Sequence, residues 1–110
     1  MVIKTHSQDT IKVVSLEGDL NANTSPEVET RLSQLIMGGN RKLIVNLDEL
    51  NYTSSAGLRV FLAINKLMKK LQGEMRICHL NQTVKEVFEI SGFHLIFPLY
   101  PDITSALDDF

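Results

Sequence analysis

The chain is poor in the residues that mark several common classes of protein. It has one cysteine and no tryptophan in 110 residues, so it can form no internal disulfide, and a domain of this size can bury enough surface to fold without one. It lacks both a run of about 18 apolar residues and an apolar stretch after a basic start, as a membrane span or a signal peptide would require. Eleven Lys and Arg against thirteen Asp and Glu leave a net charge of -2, without the positive excess of a nucleic-acid-binding module. We therefore expect one domain, residues 1–110, in the cytoplasm, binding neither membrane nor nucleic acid.

Apolar periodicity and turn residues predict an α/β protein. Strands are expected at Val2–His6, Ile11–Leu16, Leu43–Leu47, Glu74–Leu80 and Ile96–Tyr100. Helices are expected from Thr24–Ser25 to Gly38, over Leu58–Leu71, from Asn81 to Ile90 and from about Asp102. Helices that connect successive strands imply right-handed parallel crossovers, and the opening hairpin adds an antiparallel strand. The predicted fold is a mixed, mostly parallel sheet of four to five strands with about four helices.

The segment Asn51–Arg59 joins a central strand to an apolar helix and contains a run of small residues. Two interpretations stay open. Ser54 or Ser55 caps the helix, as the preference of serine for this position favours. Alternatively, the turn does more than cap the helix and also leaves a serine hydroxyl exposed beside the positive end of the helix, where a phosphate would be well placed.

Several motifs together resemble those of STAS domains. They are Gly18–Leu20, Asn46–Leu58, Gly73–Met75, Val84–Phe88 and Ser91–Gly92. The chain is similar over nearly its whole length to bacterial anti-sigma factor antagonists. The resemblance implies the STAS fold and a regulatory protein that is not an enzyme.

The resemblance also implies a switch. In this family a serine in the turn is phosphorylated by the anti-sigma factor, which is also a serine kinase, and a serine phosphatase reverses the modification. Position matching puts that serine at Ser55, with Ser54 at the usual place of an Asp and Arg59 where several relatives have Gly. Asp19 matches an acidic position near the phosphoacceptor, although a turn residue is an equally good interpretation. The implied partner surface is Asp19, Asn21, Thr24, Thr53, Ser54, Ser55, Ala56, Gly57, Leu58 and Arg59.

Two other functions stay open. A STAS domain can be a non-phosphorylated adaptor or scaffold in a transporter or stress-signalling complex, and Ser54 in place of Asp favours this alternative. The hypothesis of a small enzyme or nucleotide-binding protein depends on fold analogy alone, which is weak evidence for function. The three histidines have no metal-ligand spacing, so neither a metal nor another cofactor is expected. Beyond the residues assigned to the core, the sequence contains no heptad pattern, which favours a monomer.

Overall fold

The computed structural model describes all 110 residues. Its strands are β1 (Val2–Gln8), β2 (Ile11–Leu20), β3 (Lys42–Asn46), β4 (Leu50–Thr53), β5 (Glu74–Cys78) and β6 (Leu99–Tyr100). Its helices are α1 (Ser25–Met37), α2 (Ser55–Lys70), α3 (Gln82–Ile90) and α4 (Ile103–Leu107), with a single 3-10 turn at Phe93–Leu95.

The sheet has the order β1-β2-β3-β5-β6, and β4 pairs with the second half of β2. Only β1 runs antiparallel to its neighbour, whereas β2, β3, β4, β5 and β6 pair in parallel. The mixed, mostly parallel α/β fold with four helices is therefore confirmed.

The sheet differs from the prediction in several details. β2 continues to Leu20 rather than ending at Leu16, and β5 ends at Cys78 rather than at Leu80. The sheet has six strands rather than four to five, because the short β4 has two exposed residues in its middle and no apolar run to mark it. The last strand is only Leu99–Tyr100 rather than Ile96–Tyr100. The residues before it form the 3-10 turn, and Pro98 has no N–H to donate to a ladder.

Apolar side chains cover the sheet on both faces. Helices α1, α2 and α3 pack on one face in a core of 20 buried residues, in which Phe61 and Phe88 are the largest wholly buried side chains. On the other face α4 covers a smaller cluster of Val13, Ile44, Cys78 and Ala106. Because adjacent residues of a strand point to opposite faces, β3 contributes to both clusters and is covered on both faces.

A buried arginine fastens the C-terminal segment to the sheet. Arg76 on β5 is 8% exposed, and its Nη1 donates to the carbonyl oxygens of Ala106 at 3.0 Å and Asp108 at 2.8 Å. Its Nε donates to the Glu74 carboxylate at 2.7 Å. The guanidinium carbon lies 4.1 Å from the ring centroid of Phe110, a distance at which cation–π attraction adds to the hydrogen bonds.

Truncation of this arginine should destabilise the fold. Arg76→Ala leaves the backbone carbonyls of Ala106, Asp108 and Asp109 without this donor, so we expect a loss of about 2 kcal/mol in the free energy of unfolding by urea denaturation. Lys4→Ala is the matched control because Lys4 is exposed in its ion pair with the half-buried Glu17, and such a surface pair should contribute less than about 1 kcal/mol. Equal losses in the two variants would contradict the fastening role of Arg76.

The first turn of α2 lies directly against the ends of β2 and β4. A Cβ added to Gly57 would lie 2.7 Å from the Cγ and Cδ2 atoms of Leu20 and closer still to Thr53 Oγ1. Both neighbours are buried, so neither can move aside freely. Glycine is therefore needed here for close packing, and this contact sets the height of the helix start above the sheet.

We expect Gly57→Ala to lower the free energy of unfolding by about 1 to 3 kcal/mol, the usual cost of overpacking a core. Gly38→Ala, at the end of α1, is the control because its added Cβ comes no closer than 3.2 Å to another residue, at the Gln34 carbonyl. That variant should stay within about 1 kcal/mol of the parent chain. Thermal and urea denaturation measure both, and an unchanged Gly57→Ala protein would show that the helix start can shift freely.

Candidate functional site

The candidate site lies where β2 and β4 end side by side. The two strands pair in parallel, with Asp19 opposite Tyr52 and Leu20 opposite Thr53. The ladder continues one step further, since the Ser54 N–H donates to the Leu20 carbonyl at 2.9 Å. The loop after β2 and the turn into α2 are therefore neighbours at one edge of the sheet.

Internal hydrogen bonds hold the loop after β2. The Asn21 side-chain oxygen accepts from the N–H groups of Asn23 at 2.9 Å and Thr24 at 3.2 Å. The Thr24 hydroxyl donates to the Asp19 carbonyl at 2.8 Å and accepts from the Asn21 N–H at 2.9 Å. A hydroxyl of Thr24 or Ser25 is a candidate cap for α1 from the sequence, but Thr24 stands at the N-cap without capping the helix, and its side chain closes the loop instead. The loop is thus a preformed surface.

The serines at the start of α2 have different environments. Ser54 occupies the N-cap position in an extended conformation, and its carbonyl accepts the Leu58 N–H at 3.1 Å. Its side chain caps nothing, and its Oγ atom is buried without a hydrogen-bond partner. Ser55 is the first residue of the helix and is exposed. The expected serine cap is absent, since the side chain at the N-cap makes no hydrogen bond, whereas the expected exposed serine is present at Ser55.

The positive end of α2 is therefore open. Its first turn contains no acidic residue and its N-cap side chain makes no hydrogen bond, whereas Asn81 and Asp102 cap α3 and α4 with side-chain oxygens. Free N–H groups at a helix start attract negative charge. A phosphate on Ser55 would meet this partial positive charge.

Burial divides the residues proposed from the sequence. Asp19, Ser55 and Arg59 are exposed, and Asn21, Thr24, Ser54 and Ala56 are half-buried. Thr53, Gly57 and Leu58 are buried, so their side chains support the turn from below and offer a partner no contact surface in this conformation.

The structure adds residues that the sequence reasoning missed. A shallow depression of about 290 Å³ separates the starts of α1 and α2, and its lining includes Pro26 and Glu29 as well as Ala56 and Arg59. Tyr52 is 47% exposed at the end of β4, opposite Asp19. Recognition of β4 would have identified Tyr52, since strand alternation places it on the face opposite the buried Thr53.

Other candidate chemistry lies outside this site. Cys78 is wholly buried in β5, and burial raises the pKa of its thiol to about 12, which keeps it protonated and a poor nucleophile. No three His, Cys, Asp or Glu side chains are grouped so that they could hold a metal ion. None of the helices has the length and apolar character that crossing a bilayer demands.

Known proteins are similar to this chain in sequence and in fold. The STAS domain family model matches residues 2–106. The chain is 41% identical over 91 residues to a Bordetella bronchiseptica protein described as an anti-sigma factor antagonist, a match that covers 83% of this chain and 78% of that protein.

Two solved structures have the same fold. A Thermotoga maritima protein described as an anti-sigma factor antagonist superposes with a TM-score of 0.93 at 18% identity, covering 97% of this chain and 92% of that one. The Bacillus cell fate determinant SpoIIAA in its phosphorylated form superposes with a TM-score of 0.74 at 19% identity, covering 97% of each chain. Because the family model spans almost all residues of the chain, the chain belongs to the STAS domain family.

Proposed function

We propose that this chain is a cytoplasmic anti-sigma factor antagonist whose activity is switched off by phosphorylation of Ser55. Its partner is an anti-sigma factor that is also a serine kinase, and a serine phosphatase restores the active form. The observation that carries the proposal is the exposed Ser55 hydroxyl at the uncapped start of α2. The description of the 41% identical relative as an anti-sigma factor antagonist supports the choice of partner.

In the unmodified form the partner docks on the edge formed by the loop after β2 and the start of α2. Small side chains at Ser54, Ser55 and Ala56 allow close approach, and the preformed loop costs little conformational entropy on binding. Binding of the anti-sigma factor frees the sigma factor. The chain itself supplies no catalytic group: the Ser55 oxygen accepts a phosphoryl group from ATP held by the kinase and loses its proton.

Phosphorylation then acts through charge. A phosphate adds about -1.5 to -2 charge, and like-charge contact or desolvation at an interface costs several kcal/mol. The attraction between the phosphate and the positive end of α2 contributes only about 0.3 to 1 kcal/mol in the opposite direction. The backbone below Ser55 is held by the Ser54–Leu20 hydrogen bond and the close contact at Gly57. The modification therefore removes the partner without unfolding the domain.

One observation favours a second function, that of a non-phosphorylated adaptor. Ser54 places a buried, unpaired hydroxyl where the family commonly has a carboxylate, so no acid at that position orients the phosphoacceptor. In this alternative the same edge binds a partner permanently. The two functions differ in whether a negative charge at position 55 changes binding.

We expect Ser55→Asp to bind the partner anti-sigma factor about 10- to 100-fold more weakly than Ser55→Ala, which should bind as the parent chain does. A single added charge facing a docked partner costs about 1.4 to 3 kcal/mol by this account. Isothermal titration calorimetry measures all three affinities.

Thr83→Asp is the matched control for this experiment. Thr83 is also an exposed residue in the first turn of a helix, α3, outside the proposed surface. The Thr83→Asp substitution should leave the affinity for the anti-sigma factor unchanged. Equal affinities of Ser55→Asp and Ser55→Ala would overturn the switch and favour the adaptor.

A further inference from the structure

Arg59 is an exposed cation without a partner. Its side chain lies on α2 beyond the first turn, and none of the three ion pairs in the structure includes it. Glu29 of α1 lines the same depression but does not pair with it. The guanidinium is therefore free to bind a negative group that approaches this edge of the molecule.

Ser55 and Arg59 are four residues apart on the same helix. Side chains at this spacing lie one above the other on the helix surface, and the order with the negative group nearer the N-terminus is the more favourable one. The planar guanidinium can donate two parallel hydrogen bonds to phosphate oxygens. The first turn of α2 has no carboxylate that would compete for it.

We propose that Arg59 is the counter-ion of the phosphate on Ser55, and that phosphorylation thereby withdraws it from the partner. This inference rests on the proposed function. While Ser55 is unmodified, Arg59 is available to an acidic group of the anti-sigma factor. When Ser55 is phosphorylated, the guanidinium pairs with the phosphate along the helix. The surface formed by the loop after β2 and the start of α2 then gains negative charge. In the same event Arg59 is no longer available to the partner.

Arg59 and the start of α2 would hold the phosphate from two sides. Phosphate on Ser55 satisfies the free N–H groups of α2 on one side and the guanidinium on the other. The phosphorylated form should thus be stabilised by its own modification, which would make the inactive state a persistent one. Arg59 is a positioning residue in this account, since it acts on the phosphate and performs no chemistry.

The test uses full chains in which phosphoserine is incorporated at position 55 during synthesis, so that no kinase is needed. The Tm change caused by phosphoserine is measured in the parent chain, in Arg59→Gln and in Arg59→Lys. At low salt the change in Tm caused by phosphoserine should be more stabilising by about 2 °C in the parent chain than in Arg59→Gln. Arg59→Lys should restore part of the difference, and 1 M NaCl should reduce it.

A control and a spectroscopic measurement separate pairing from general charge. Lys66→Gln removes an exposed cation of the same helix that lies about three turns from Ser55, and it should behave as the parent does. In the parent chain the Arg59 Nε–Hε NMR signal should shift when Ser55 becomes phosphoserine, while the signals of other arginines stay in place.

Two results would overturn the inference: an equal phosphoserine effect on Tm in the parent and Arg59→Gln, or an Arg59 signal that does not move. Neither depends on a kinase. A kinase that never modifies Ser55 would instead defeat the proposed function and leave the measured ion pair standing, so the two failures can be told apart.

Discussion

The site depends on a single strand that pairs with two neighbours in succession. Residues Ile11–Ser15 of β2 pair with β3, and residues Gly18–Leu20 pair with β4. The register shifts between Gly18 and Asp19, and Gly18 has a φ of 112°, a conformation that residues with a Cβ rarely adopt. Because of this change of partner, the end of β4 reaches the loop after β2. The start of α2, and with it Ser55, is placed by that pairing.

The candidate site combines a closely packed interior with exposed polar side chains. Buried groups at Leu20, Thr53 and Gly57 fix the height and direction of α2, whereas the chemically distinctive groups at Ser55 and Arg59 are exposed. A switch of this kind needs neither a lid nor an enclosed pocket, since a charge placed on a fixed surface is enough to alter binding. The same separation would let the proposed modification of Ser55 occur without loss of the fold.

Apolar residues predict the helices that pack on the sheet and the strand at β3, because burial selects apolar side chains at those positions. They do not predict β4, because Asn51 and Tyr52 in the middle of this strand are exposed and leave no apolar run. β4 is a strand because it pairs with Gly18–Leu20 at the end of β2, and that pairing cannot be read from the residues of β4. The apolar pattern does not reveal Arg76 as a buried group either, since its partners are carbonyls 30 and 32 residues away. Spacing alone could not choose between Ser54 and Ser55. The family resemblance named Ser55, and the local backbone shows the difference by burying the Ser54 hydroxyl.

The central claim is that Ser55 is a phosphorylated switch residue. Mass spectrometry of the intact chain and its peptides, recovered from its native cells under resting and stress conditions, tests it most directly. We expect one phosphate, on Ser55 and not on Ser54, in a proportion that changes with condition. A chain that carries no phosphate in any condition, or carries it only elsewhere, would contradict the account.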